Sequence, residues 1–163
     1  MSAPLEKLPG WESLPAESRE RFRAAALPDA MLRLEDSVNF ELGPDLAVAE
    51  VPGIGRVLRF GYATGLFAGE FCLDSDTGAV HLARPDDLPP NFVNSSIEQF
   101  GRSVRLVVEH ERDLTHGDPE TCADAAQEVR AGIAGIDPAA DRADTYWDVL
   151  YYELADGTYS DFE

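Results

Sequence analysis

The sequence predicts a single-domain α+β fold in which helices pack on a mostly antiparallel sheet, and three observations carry that expectation. Val38-Asn39-Phe40-Glu41-Leu42 and Arg56–Tyr62 alternate with the period of two that a half-buried strand requires. Residues 66–82 read as strand, turn and strand, with Asp74-Ser75-Asp76-Thr77-Gly78 supplying the polar, permissive residues of a hairpin. Ile97, Phe100, Val104, Val107 and Val108 then recur at helical spacing, a stripe that must lie on something apolar. The sheet is the available surface. A chain of 163 residues buries roughly two-thirds of its unfolded surface, enough for one core.

Taken in order, residues 1–14 are rich in proline and polar groups and are expected to form a loosely ordered lead. Pro15 opens a helix, because its missing N–H costs nothing in a first turn, and Leu27-Pro28 stops it. That helix has a thin apolar edge of Phe22, Ala25 and Ala26. Strands follow at 38–42 and 46–51, then a turn at Pro52-Gly53-Ile54-Gly55 and a strand at 56–62. Gly53-Ile54-Gly55 lacks the further glycine and the strand-to-helix setting of a phosphate loop. In the second strand of the hairpin, Val80 and Leu82 share one face, opposite Ala79 and His81. Short polar turns between successive strands favour antiparallel pairing.

The link 86–90 ends in two prolines and cannot be helical. The next helix has two competing caps, Asn94, or Ser95 with Glu98 as a capping box. An acidic passage at 109–118 leads to Pro119, which starts a helix with Cys122, Ala125, Ala126, Val129 and Ile133 along one side and Gly135 at its end. Asp137 before Pro138 reads as a further helix start, continued by Trp147, Leu150, Tyr151 and Leu154 to Gly157. Residues 158–163 are a tail.

The net charge of −18 is unevenly spread: residues 1–108 hold 16 acids and 10 bases, residues 109–163 hold 15 acids and 3 bases. A field of that sign repels nucleic acid and anionic membrane and attracts basic partners, although solubility alone also accounts for it. No run of about 18 apolar residues suggests a membrane span, and Met1–Lys7 lacks the basic start and apolar run of a signal peptide. The cytoplasm is therefore the expected compartment. Cys72 and Cys122 have no paired spacing and read as reduced, buried thiols.

Chemistry is harder to find. His110 and His116 with Glu111, Asp113 and Asp118 match no metal-ligand spacing. Asp74 and Asp76 read as turn formers, and Phe100, Trp147 and Tyr151 as core. No catalytic, cofactor or metal residues are assigned. An enzyme would need a deep pocket gathering two or more of Cys72, Asp74, His81, His110 and His116.

Several separated stretches together resemble one family. They are Phe71–Val80, Phe92-Val93-Asn94-Ser95-Ser96-Ile97-Glu98-Gln99-Phe100, then Gly135-Ile136-Asp137-Pro138-Ala139-Ala140 and Tyr146-Trp147. In this order they are similar to the SUKH-4 group of the SUKH (SMI1/KNR4-like) superfamily, over a domain of about residues 15–157. Leu27-Pro28 resembles a Gly-Leu-Pro of that group, with Ala26 in place of the glycine.

The resemblance implies a mixed sheet packed by helices and a role as an immunity protein that binds a cognate polymorphic toxin, frequently a nuclease. Its shared positions, Asp74, Gly78, Val80, Asn94, Ser95, Ser96, Phe100, Asp137, Pro138 and Trp147, are turn, cap and core residues and nominate no contact surface. A basic toxin partner is complemented by the carboxylates Glu109, Glu111, Asp113, Asp118, Glu120 and Asp124. The alternative is a non-catalytic regulatory or scaffold module that binds a cellular protein or a small ligand in a groove beside the sheet.

Overall fold

The computed structural model describes residues 4–25, 27, 32–34, 37–65 and 68–159. Six strands form a sheet in chain order: β1 (Leu32–Leu34), β2 (Ser37–Val51), β3 (Gly55–Ala63), β4 (Gly69–Asp74), β5 (Val80–Ala83) and β6 (Asn91–Asn94). Every pairing among them is antiparallel, as connections this short require. Four helices, α1 (Ala16–Ala25), α2 (Ile97–His116), α3 (Pro119–Ile136) and α4 (Tyr146–Ala155), complete the α+β fold. All four share one core with the side of the sheet that carries Leu58, Phe60, Phe71, Leu73, Val80 and Leu82.

The centre of that core is aromatic. Phe100 of α2 is fully buried, with its ring centroid 4.8 Å from Phe40, 5.3 Å from Phe71 and 5.7 Å from Phe60. Phe22 of α1 reaches Phe60 at 5.5 Å, and Tyr146 of α4 reaches Phe71 at 5.4 Å. The apolar stripe read from the sequence is buried at Ile97, Phe100, Val104 and Val107, with Val108 half-buried at its margin.

Local expectations shift where two signals compete. Residues 38–42 and 46–51 belong to a single strand, β2, whose register jumps between Leu42 and Ala47. The helix cap is neither Asn94 nor Ser95: Asn94 ends β6, and Ser96 caps α2 by accepting from Gln99 N at 3.2 Å. Two overlapping capping boxes exist here, and Ser95 is drawn away by a buried carboxylate described below. The acidic passage continues α2 to His116, and α3 runs one residue beyond Gly135.

The last helix is interrupted. Asp137 caps a 3-10 turn at Pro138–Asp141, and Thr145 separately caps α4, accepting from Asp148 N at 3.3 Å. Between them Asp144 takes a left-handed φ of 64°, which no α-helix accommodates. Residues 5–14, expected to be loose, bury Leu5, Trp11 and Leu14 in the core. Their apolar side chains outweigh an irregular, proline-rich backbone. β1 has no signal in the sequence beyond two leucines. Expectations for residues 1–3, Ala26, Pro28, Leu66, Phe67 and 160–163 lie outside the described residues.

Phe100→Ala removes the ring that touches three strands, so it should lower unfolding free energy by about 3–5 kcal/mol. Urea denaturation followed by tryptophan fluorescence measures this.

Candidate partner-binding surface

The six carboxylates lie on the α2–α3 hairpin. Val107, Leu114 and Thr115 of α2 and Cys122, Ala125 and Ala126 of α3 are buried, which leaves the opposite surface to acids. Glu109, Asp113, Asp118, Glu120 and Asp124 are exposed, and Glu111 is half-buried. Small residues let the helices approach: a Cβ on Gly132 would lie 2.4 Å from Leu106 Cδ2. Asp118 also has a structural task, accepting from Thr121 N at 2.8 Å as the cap of α3. That hydrogen bond holds its carboxyl below the usual range.

His110 pins the hairpin. Its Nδ1 lies 2.9 Å from Leu106 O and its Nε2 lies 3.0 Å from Glu128 Oε2. Both neighbours are acceptors when Glu128 is ionised, so only the doubly protonated ring satisfies both. The Leu106 carbonyl and then the Glu128 carboxylate raise the histidine's pKa against the opposing effect of burial.

Other candidates for chemistry are placed differently. Among the described residues, no group of three or more His, Cys, Asp and Glu could hold a metal. Cys72 stands opposite His81 in the β4–β5 ladder. Burial pushes the thiol up to about 12 and the imidazole down, the reverse of an activated pair. Cys72 Sγ donates instead to Glu70 O at 3.4 Å, and His81 packs edge-on to Phe92.

The residues shared with the family pattern do converge, on structure. Asp74 shapes the β4–β5 turn by accepting from Asp76 N at 2.8 Å and Thr77 Oγ1 at 2.9 Å. Burial opposes its ionisation, but these bonds outweigh it and the pKa falls. Gly78 closes that turn with φ 78°, and Val80 enters the core. Asn94 and Ser95 meet at Asp137, which is 2% exposed. Its carboxylate accepts from Ser95 N (2.7 Å), Ser95 Oγ (2.9 Å), Asn94 Nδ2 (3.2 Å) and Ala139 N (3.3 Å). Asn94 Oδ1 in turn accepts from Trp147 Nε1 at 2.8 Å. Ser103, buried on α2 and 3.4 Å from Asn94 Nδ2, belongs to the same network and carried no signal in the sequence.

A one-domain α+β protein with an acidic helical hairpin is the class that this fold and surface define. A family model described as SUKH-4 immunity protein matches residues 3–153, and the chain belongs to that family. No curated protein and no solved structure matches it. Among the described residues, no helix is long and apolar enough to cross a membrane.

Asp137→Ala leaves Asn94 and the Ser95 N–H without their acceptor and should cost about 3 kcal/mol or more of stability, read from chemical denaturation. The His110 contribution has the opposite pH sense to a carboxylate's. Because the folded pKa is raised above about 6.5, its stabilisation is full below that pH and fades as pH rises through the folded value. The stability gap between wild type and His110→Ala, measured by urea midpoints, should therefore shrink from about pH 5.5 to about pH 8.5.

Proposed function

We propose that this chain is a cytoplasmic immunity protein that neutralises a cognate polymorphic toxin with a basic binding surface, a nuclease, by protein–protein contact. It performs no reaction, uses no cofactor and touches neither nucleic acid nor membrane. Membership of an immunity family supports the class of activity. The single observation that carries the choice of partner is the charge, −18 overall with 15 acids against 3 bases in residues 109–163. A nuclease offers a basic cleft shaped for phosphates, and a carboxylate-rich hairpin is complementary to it. Glu109, Glu111, Asp113, Asp118, Glu120 and Asp124 are the proposed contacts.

The alternative is a regulatory or scaffold module, and one observation favours it. A groove of about 330 Å³ lies beside the sheet, between α1 and strands β2–β4. A small molecule retained stoichiometrically after purification would support that reading.

The test uses the protein encoded by the adjacent reading frame. Co-expression should relieve its toxicity, and the two proteins should form a stoichiometric complex. Glu109→Lys, Asp113→Lys and Glu120→Lys together spare the Asp118 cap. They should weaken binding by about tenfold or more at low salt and flatten its salt dependence. Unchanged binding removes the hairpin from the interface.

A further inference from the structure

β2 is longer than the strand beside it. Among the described residues, β1 pairs only with Ser37, Val38 and Phe40, whereas β2 continues to Val51. Beyond β1 the N-terminal segment meets β2 where Pro9 O accepts from Leu46 N at 2.9 Å. Gly10 makes that approach possible, since a Cβ there would lie 2.2 Å from Leu46 O. The chain then turns away into the short helix Trp11–Ser13. Residues 47–51 pair with β3 on one side, and no strand among the described residues lies on the other.

The direction of the backbone groups follows from the ladder. Arg56 O accepts from Ser75 N at 3.0 Å, so Arg56 directs its carbonyl towards β4. Glu50, opposite Arg56, must then point its N–H and C=O away from β3, and alternation does the same for Val48. The outward Leu46 N–H agrees with this phase. Val48 is 51% exposed. Its side chain helps line the groove of about 330 Å³, where Pro15, Leu58 and Leu73 stand beside the charged Glu17, Arg21, Arg56, Asp74 and Asp76.

We infer that residues 47–51 of β2 are a docking edge for an extended, basic segment of the toxin, which adds as a further strand and places a side chain in the groove. This rests on the immunity reading above. Main-chain pairing would give affinity, and the groove would select the side chain. Charge chooses the occupant: residues 45–51 of β2 carry Asp45 and Glu50 and no base. A second copy would bring the same two acids to the junction, whereas a basic strand complements them.

Proline substitution tests the edge without cutting the sheet. Val48→Pro and Glu50→Pro remove N–H groups that point outward, a position where an edge strand accepts proline. Ala49→Pro is the contrast, because its N–H lies in the β3 ladder and its loss should lower the thermal midpoint. With the purified product of the adjacent reading frame as probe, each of the first two variants should stay folded by circular dichroism and bind about tenfold more weakly. Amides 48 and 50 of the wild type should gain hydrogen-exchange protection in the complex. Unchanged affinity of the folded variants, or no added protection at 47–51, overturns the docking edge alone. If the folded wild type does not bind the probe at all, the immunity reading falls and the edge falls with it. A wild-type dimer made monomeric by Glu50→Pro, seen by sedimentation, overturns the assignment in favour of a second copy.

Discussion

The fold turns on one buried carboxylate. Asp137 sits where α3 ends, the 3-10 turn begins and the β6–α2 junction passes, and its oxygens receive donors from two of those places. A charge this deep is tolerable only with its acceptor capacity filled, and here it is filled by groups that are distant in sequence. Asn94 extends the constraint to α4 through the Trp147 indole. The helical layer is thereby fixed to the last strand at a defined angle. Apolar packing alone, which is non-directional, would allow it to slide.

Once that layer is fixed, the charge distribution follows. α2 and α3 spend their apolar residues on the core and on each other, so nearly every acid in residues 109–124 is left on the outer surface. Self-repulsion among them is partly offset locally. Asp118 binds the free N–H groups of its own helix terminus, and His110 places a proton between the helices. Arg130, on the other side of α3, binds Asp141 at 3.0 Å and stacks on Tyr151 at 4.6 Å. The hairpin thus carries its charge on a braced support.

What was legible in the sequence was whatever has a period. The stripe on α2 apart from its marginal Val108, the Cys122–Ile133 side of α3 and the Val80/Leu82 face of β5 all occupy buried positions. Boundaries failed where capping signals overlapped. Ser95 and Ser96 both precede an acceptor by three residues, and the choice between them is made by Asp137, 42 residues from Ser95. Asp137-Pro138 did start a helical turn, but one that Asp144 stops at once. The burial of Trp11 and Leu14 was hidden because compositional reading gives proline and polar residues more weight than two large side chains. The network around Asn94 was invisible in principle: its members other than Ser103 were recognised one by one, and their meeting is a property of the folded chain.

Rigidity in the helical layer and incompleteness at the sheet edge have different energetic consequences for binding. A surface whose helices are braced by the Asp137 network loses little further freedom when a partner docks, so more of each charge–charge contact survives as affinity. An edge strand contributes nothing until something pairs with it, and what it then gains is main-chain hydrogen bonding that is indifferent to sequence. Discrimination must come from the side chains around it, here the acids of β2 and the mixed polar and apolar groove that Val48 lines. On the proposed reading, long-range charge would set how quickly a basic partner arrives, and short-range pairing would set how long it stays. A protein whose task is to hold another has reason to keep those two functions on separate elements, because each can then change without unfolding the other.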